Sequence, residues 1–494
     1  MGTLLFGVIT GPDLDSATDL IAASEPLVDG IELRLDYFTN IDIQALKSFL
    51  KNCKLPVMLT LRRNDQGGKF FGPEEERLKL LESLCALEPA YIDLEYDVPK
   101  DFRKRLFEAY PKISFLSSYH DFEGIPSNLD EVYNNIKTPY AHIYKLAVTA
   151  KSSIDAMKLL LFVKSHSIQD QIIGIAMGEE GRITRLLAPI VGSFLTYALL
   201  STEASTAPGL LTAREMQETY HFRTCNRQTE VYSLIGDPIE KSLGAVIHNA
   251  VFQSRGINAL YIKTQVKIEE LAAFMPLAAE LSFKGFSVTM PLKEAVIPLL
   301  SQLSLHARVI GSCNTIKLQK DQSVGYNTDG AGALNAIEEK GLVYGKHIVT
   351  IGAGGAAKAL IFEAVQRGAY VTILNRTPSK AIEIAETLRC AGGGLELLPE
   401  VCAKGYDIMI NCIPNSDLIK EEWILPGKIV MDIVYIPKNT PFLVKAAKKS
   451  CQLVYGYEMF VCQATEQQFI WHPDDFNEAE VHKIIQDKVI AALS

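Results

Sequence analysis

Among the nine cysteines and nine histidines of this 494-residue chain there is no CxxC pair and no cysteine–histidine group at zinc-finger spacing. A scattered, odd-numbered set of cysteines excludes a disulfide scaffold and reads as reduced thiols, and no metal site is expected from it. Basic charge is also scarce: 49 lysines and arginines face 58 acids, a net charge of −9. That excludes a dominant surface for nucleic acid or anionic membrane, since either needs a positive field. Long apolar runs are missing too. The longest, residues 186–200, contains Pro189 and Gly192 and falls short of the ~20 residues that span a bilayer. The first residues carry no charged segment or cleavage site, so a cytoplasmic protein is expected.

What is present is an ordinary globular balance, 48% hydrophobic and 22% charged. At about 150 residues per domain the length allows about three compact units. The first ~220 residues alternate short β-branched runs with amphipathic ones. Strands are expected at Leu4–Ile9, Gly30–Leu35, Val57–Leu61, Ala90–Leu94, Ile113–Ser118, Ile143–Val148 and Ile172–Ala176, with an indistinct eighth near Gly192–Leu195. Helical patterns such as Ile43–Lys51, Glu74–Leu87 and Ile154–His166 lie between them. Such alternation implies βαβ units on a parallel sheet, and eight of them imply a closed (β/α)8 TIM barrel. Glu32, Arg34, Arg62, His120, Lys145 and Arg185 fall near the C-terminal ends of these strands. That is the face where barrel enzymes assemble their sites, although strand ends collect charge in any protein.

A second βα series begins at Val231, and a turn near Leu342–Gly345 divides it into two lobes. Within it, the apolar run Ile348–Ile351 leads into Gly352, Ala353, Gly354, Gly355, Ala356 and Ala357, then a helical stretch. Strand, glycine turn and helix in this order let backbone N–H groups approach a pyrophosphate. The next strand ends at Asn375, Arg376 and Thr377, with no acid for a ribose 2′-hydroxyl. Arginine there suits a 2′-phosphate, hence NADP(H) as cofactor.

These residues carry a resemblance. The second half resembles shikimate dehydrogenase through Gly236-Asp-Pro-Ile-Glu-Lys-Ser242, Val288-Thr289-Met-Pro-Leu-Lys293, Gly311-Ser-Cys-Asn314-Thr315, Gly325-Tyr-Asn-Thr-Asp329-Gly330, Asn411-Cys-Ile-Pro, Asp432-Ile-Val-Tyr435 and Gln463-Ala464. The first half resembles type I 3-dehydroquinate dehydratase through Glu32-Leu-Arg34, Thr60-Leu-Arg62, Ser118-Tyr-His120-Asp, Lys145, Gly181-Arg-Ile-Thr-Arg185 and Ala207-Pro208-Gly209. A dehydratase fused ahead of a dehydrogenase is similar to the bifunctional enzymes that join two consecutive steps of the shikimate pathway. The implied architecture is α/β: a dehydratase barrel over 1–222, then a two-lobed dehydrogenase over 231–494. Its substrate lobe covers about 231–335 plus 460–494, and its Rossmann NADP-binding lobe about 336–459.

The resemblance also implies roles. In the dehydratase half, Lys145 forms a Schiff base with 3-dehydroquinate that serves as electron sink, and His120 is the general base. Burial and nearby guanidinium groups are expected to lower the Lys145 pKa. Arg185 holds the substrate carboxylate, and Glu32, Arg34, Arg62 and Thr206 contact its other oxygens. In the dehydrogenase half, Lys293 donates a proton and Asp329 orients it, while Ser242, Thr289, Asn314, Tyr435 and Gln463 bind 3-dehydroshikimate or shikimate. The chain departs from the family at Gln66 (glutamate), Thr206 (serine), Leu210 (glutamine) and Gly244 (serine). Gly244 leaves space that would admit the extra hydroxyl of quinate. These departures keep two alternatives open, a regulatory binding protein with degraded sites and a dehydrogenase with an inactive barrel. Partners are small anionic substrates, with no nucleic acid or membrane, and a monomer is left open.

Overall fold

The computed structural model describes residues 2–201, 209–320 and 322–493. The chain divides into two compact units, residues 1–231 with 256–283, and residues 232–255 with 284–494.

In the first unit eight strands surround one axis: β1 (Leu4–Ile9), β2 (Gly30–Arg34), β3 (Val57–Thr60), β4 (Tyr91–Glu95), β5 (Ser114–Asp121), β6 (Ile143–Thr149), β7 (Gln171–Met177) and β8 (Leu195–Leu199). All pairs are parallel, in the order β7-β6-β5-β4-β3-β2-β1-β8. The ring is near-closed. At the β7–β8 seam the Phe194 N–H donates to the Ile172 carbonyl at 2.8 Å. Phe6, Met58, Leu116, Ile143, Ile173, Ile175, Leu195 and Tyr197 fill the axis, so the barrel is a packed core rather than a pore. Strands buried on both faces read as continuous apolar runs. That is why β6 is legible in the sequence, and why a charged residue within it is informative.

The eighth strand lies downstream of the expected Gly192–Leu195 and runs Leu195–Leu199. The apolar run 186–200 begins with a short helix, Ala188–Val191, ended by Gly192 at φ +73°. A glycine in the left-handed region is a helix C-terminus signal, and near-uniform apolarity hid it. After β9 (Glu230–Gly236) and β10 (Ala259–Gln265), the helix Ile268–Glu280 groups with the barrel unit. There the Lys164 ammonium donates to the Glu280 carbonyl at 2.7 Å.

The second unit has two lobes. In one, β11 (Phe283–Val288), β13 (Thr315–Gln319) and β14 (Gln322–Tyr326) pair antiparallel, and β12 (Gln302–Leu303) joins β14 in parallel. In the other, β15 (His347–Ile351), β16 (Tyr370–Asn375), β17 (Ala391–Gly394), β18 (Ile408–Asn411), β19 (Ile429–Asp432) and β20 (Gln452–Val454) form a parallel sheet ordered β17-β16-β15-β18-β19-β20. This is the doubly wound dinucleotide-binding order, with its switch point between β15 and β18. Alternate residues feed opposite faces: Ile348, Ile373 and Ile410 one core, Val349, Leu374 and Met409 the other. No helix among the described residues is long and apolar enough to cross a membrane.

Candidate active sites

At the C-terminal end of the barrel, Lys145 is buried on β6. Its Nζ lies 3.1 Å from Asp93 Oδ2 on β4 and 3.8 Å from Glu32 Oε1 on β2, and 4.6 Å from the Tyr197 ring centre. Arg62 donates to the same Asp93 oxygen at 2.6 Å and to Ser118 Oγ at 2.9 Å. The Thr60 hydroxyl donates to Glu32 Oε1 at 2.7 Å. Beneath them Arg77, fully buried, donates to Glu95 Oε2 at 2.7 Å, while Glu95 Oε1 lies 3.4 Å from Arg62. Parallel register places these groups at one level: Asp93 stands beside Thr60, and Ser118 beside Lys145.

This network decides charge states. Burial opposes ionisation of Lys145, but the Tyr197 oxygen and the Asp93 and Glu32 carboxylates outweigh it, so its pKa is raised. The expectation of a lowered pKa is therefore corrected. The acids from β2 and β4 stand 3.8 and 3.1 Å from the amine, and opposite charge stabilises the ammonium. Asp93 is held far below the ordinary carboxylate range: burial would raise it, but Arg62, Lys145 and His120 pull it down. For His120 the direction reverses. Burial, Arg62 and Lys145 press its pKa well down, leaving a neutral imidazole. Its ring stacks on Phe122, and its Nδ1 has no partner among the described residues. A buried, neutral, unpaired imidazole nitrogen is a ready proton acceptor.

Arg185 is buried on the helix Arg182–Leu186 and donates only to the Ala176 carbonyl, at 2.9 Å, with Nε unpaired among the described residues. Burial pulls its pKa to about 10. A guanidinium without a carboxylate hydrogen-bond partner among the described residues suits an incoming anion. Arg34 is instead committed to Asp36 by two bonds of 2.9 and 2.8 Å. Thr206 lies outside the described residues. His142 accepts from the Phe115 N–H at 3.1 Å and stacks on Phe107, a packing role. Sequence reasoning did not single out Asp93, Glu95 or Tyr197. The available signal was two acids at alternate positions of the otherwise apolar β4, which place both on one face.

In the second unit Lys293, on the short helix Leu292–Ala295, pairs with Asp329 Oδ2. Asp329 opens the helix Asp329–Glu338, where a carboxylate complements the N-terminal dipole. Asn314 donates to Asp329 Oδ1 at 2.8 Å and to Thr328 Oγ1 at 2.9 Å. Its own side-chain oxygen accepts from the Thr328 N–H and the Thr315 hydroxyl. Gln463 lies 3.4 Å from Thr328 Oγ1. Its helix, Gly456–Trp471, comes this close because a Cβ on Gly332 would stand 2.7 Å from the Gln463 backbone nitrogen. Lys293, Asp329, Asn314 and Gln463 thus form one connected cluster. Ser242 accepts from the Gly244 N–H at 3.1 Å, and half-buried Tyr435 stacks on Phe460. Thr289 is half-buried at the end of β11, four residues before Lys293. Gln467 is a further buried polar group, bridging Ser287 at 2.9 Å and Thr315 at 2.9 Å.

The loop after β15 fits a dinucleotide. Gly352 has φ +120°, and a Cβ there would stand 3.1 Å from the Cys412 backbone carbon. Around Gly354 a Cβ would meet nothing within 4 Å. Backbone N–H groups at the start of the helix Gly355–Gln366, past Ala353 and Ala356, are therefore open to an anion. At the end of β16 Asn375 Nδ2 donates to the Thr377 carbonyl at 3.0 Å, and Arg376 is exposed.

Fold and sites together define a barrel lyase joined to a dinucleotide-binding dehydrogenase. The chain matches the type I 3-dehydroquinase family over residues 5–227 and the shikimate dehydrogenase substrate binding domain over residues 234–316. It is 33% identical over 472 residues to the shikimate biosynthesis protein AroDE of Chlamydia pneumoniae, covering 95% of this chain and 96% of that one. It is 33% identical over 473 residues to the chloroplastic bifunctional 3-dehydroquinate dehydratase/shikimate dehydrogenase of Arabidopsis thaliana, covering 90% and 78%. A shikimate dehydrogenase structure from Aquifex aeolicus matches 53% of this chain and 98% of its own, with 32% identity and a TM-score of 0.50. The chain belongs to the family of bifunctional 3-dehydroquinate dehydratase/shikimate dehydrogenases.

Proposed function

We propose that the barrel, residues 1–222, dehydrates 3-dehydroquinate, and that residues 231–494 reduce the resulting 3-dehydroshikimate to shikimate with NADPH. The observation that carries this reading is a lysine amine buried between two carboxylates at the catalytic end of a barrel, together with a second lysine paired to an aspartate in the other unit.

In the barrel, Arg185 receives the substrate carboxylate. The ammonium of Lys145 must first lose a proton, and the neutral His120 is the acceptor at hand. The free amine then attacks the ketone carbon, and the carbonyl oxygen leaves as water to give an imine. His120 returns its proton to that departing oxygen and is then free to remove the C2 proton. The electron pair moves into the protonated imine, and the β-hydroxyl takes the proton now on His120 and leaves as a second water. Hydrolysis of the imine frees Lys145. Glu32, Arg34 and Arg62 orient the substrate oxygens; for Arg34 this happens while Asp36 holds the guanidinium.

In the second unit a nicotinamide, when bound, would supply hydride chemistry to the substrate's carbonyl. Gly352, Ala353, Gly354, Gly355 and Ala356 would hold its pyrophosphate, and Asn375, Arg376 and Thr377 the 2′-phosphate. Lys293 gives its proton to the carbonyl oxygen, and Asp329, fixed by Asn314, keeps the amine aimed. Ser242, Thr289, Tyr435 and Gln463 bind the carboxylate and hydroxyls. Nine free cysteines suit a reducing, cytoplasmic setting.

The test is a coupled assay. With 3-dehydroquinate and NADPH the intact chain oxidises nucleotide. Lys145→Ala abolishes this but retains reduction of added 3-dehydroshikimate, and Lys293→Ala loses both readouts while still releasing 3-dehydroshikimate. Borohydride under turnover leaves a substrate adduct on Lys145 by mass spectrometry. Absence of the adduct overturns the imine step.

A further inference from the structure

We propose a divalent transition-metal site, of the kind zinc fills, formed by Glu339, Cys462 and His482, none of them a residue of either active site. The three residues come from three helices. Glu339 caps the C-terminal end of Asp329–Glu338, Cys462 lies on Gly456–Trp471, and His482 lies on Glu478–Leu493. Their ligand atoms all lie within 4.8 Å of one another, and His482 Nε2 is 4.0 Å from Glu339 Oε1. No other such group of three occurs among the described residues.

The donor set is one carboxylate oxygen, one imidazole nitrogen and one sulfur. Mixed N, O and S ligation suits zinc, which takes three protein ligands and a water. Ligands about 2.0–2.3 Å from a tetrahedral centre sit about 3.3–3.8 Å apart. Closing to that geometry takes a movement of about 1 Å, and Glu339 and His482 are exposed enough to rotate. Cys462 is buried and sets the anchor point. The surroundings favour a cation. Glu339, Glu458, Glu466 and Glu478 surround the thiol with negative charge. Of these, Glu458 is paired with Lys340 at 3.2 Å. Metal entry breaks the S–H bond, sends the proton to solvent and forms the metal–sulfur bond, with no change of oxidation state.

The location gives the site a consequence. Two of its three helices also carry residues of the reductase cluster: Asp329 begins the helix that Glu339 ends, and Gln463 follows Cys462 directly. A bound ion pins the C-terminal end of the first helix and the middle of the second, one residue from Gln463.

The experiment uses the full chain stripped with a chelator, then titrated with zinc chloride by calorimetry and with cobalt(II) chloride by absorbance. One equivalent of zinc is expected to bind. His482→Gln and Glu339→Gln, both at partly exposed positions, weaken it at least tenfold while leaving zinc-free shikimate oxidation and circular dichroism unchanged. Cobalt gives a thiolate charge-transfer band in the near ultraviolet that disappears in Cys462→Ser. Zinc also raises the Tm of the second unit, and His482→Gln abolishes the shift. Zero stoichiometry, affinity unchanged in both exposed variants, or the absence of a thiolate band overturns the proposal. The first two variants keep it falsifiable if Cys462→Ser misfolds.

Discussion

Asp93→Asn tests the electrostatic argument most directly. The substitution keeps shape and removes one charge from a network in which Asp93 Oδ2 lies 2.6 Å from Arg62 and 3.1 Å from Lys145. At an effective dielectric constant of about 20, a unit pair at the longer distance is worth roughly 5 kcal/mol. The net loss is smaller, because Glu95 stays 3.4 Å from Arg62 and Glu32 stays 3.8 Å from Lys145. Breaking a buried pair costs about 3–5 kcal/mol, and the remaining acids place this case at the lower end. The barrel therefore stays folded but less stable, and urea unfolding followed by far-ultraviolet circular dichroism reads the change. The only tryptophans, Trp423 and Trp471, lie in the second unit, so their fluorescence reports an unshifted transition as control. Because Asp93 is depressed in the fold, its contribution is complete above its unfolded value near pH 4 and fades as pH falls below that. The stability gap between wild type and variant is thus full at pH 7 and narrows in acid. With one fewer carboxylate beside it, Lys145 also loses its proton more readily, and the acidic limb of dehydratase kcat/KM moves to lower pH. An unmoved or upward-moving limb, or equal shifts in both unfolding signals, refutes the reasoning.

Three further outcomes are expected. Arg376→Ala raises KM for NADPH by about 10- to 100-fold, as expected for one charge-assisted contact, and barely alters KM for NADH; equal loss with both nucleotides removes the 2′-phosphate assignment. Gly352→Ala forces a side chain into φ +120° with its Cβ 2.9 Å from Ile413 Cγ2, so about 1–3 kcal/mol of strain appears as a lower Tm of the second unit and weaker NADPH binding by fluorescence titration. Quinate with NADP+ is turned over because Gly244 puts no side chain beside Ser242, and Gly244→Ser suppresses quinate relative to shikimate; no turnover by the unmodified chain sinks this idea.

Most of the architecture was legible because it rests on local patterns. Seven barrel strands follow from β-branched runs alternating with amphipathic ones, and β15 with its glycine turn follows from a motif whose spacing is dictated by a pyrophosphate. The eighth strand escaped because residues 186–200 are almost wholly apolar. A short helix and a strand in that run bury everything, and periodicity has nothing to contrast. The reactive residue types, Lys145, His120, Lys293 and Asp329, were visible as chemistry in unlikely places. Asp93 was not, since two acids on one face of an apolar strand do not reveal what they face.

The amino-acid order by itself determined the fold classes and the kind of chemistry of the two halves, because these depend on hydrophobic period, turn residues and motif spacing over a few dozen positions. It did not show that residues 256–283 group with the barrel unit. Only the tertiary structure decided the charge of Lys145. Asp93 reaches it from 52 residues away in the chain and Arg62 from the neighbouring β3 side, and a buried group's pKa is the sum of such non-local fields. The same holds for Glu339, Cys462 and His482. Their spacing in sequence matches no metal motif, and three packed helices bring them together.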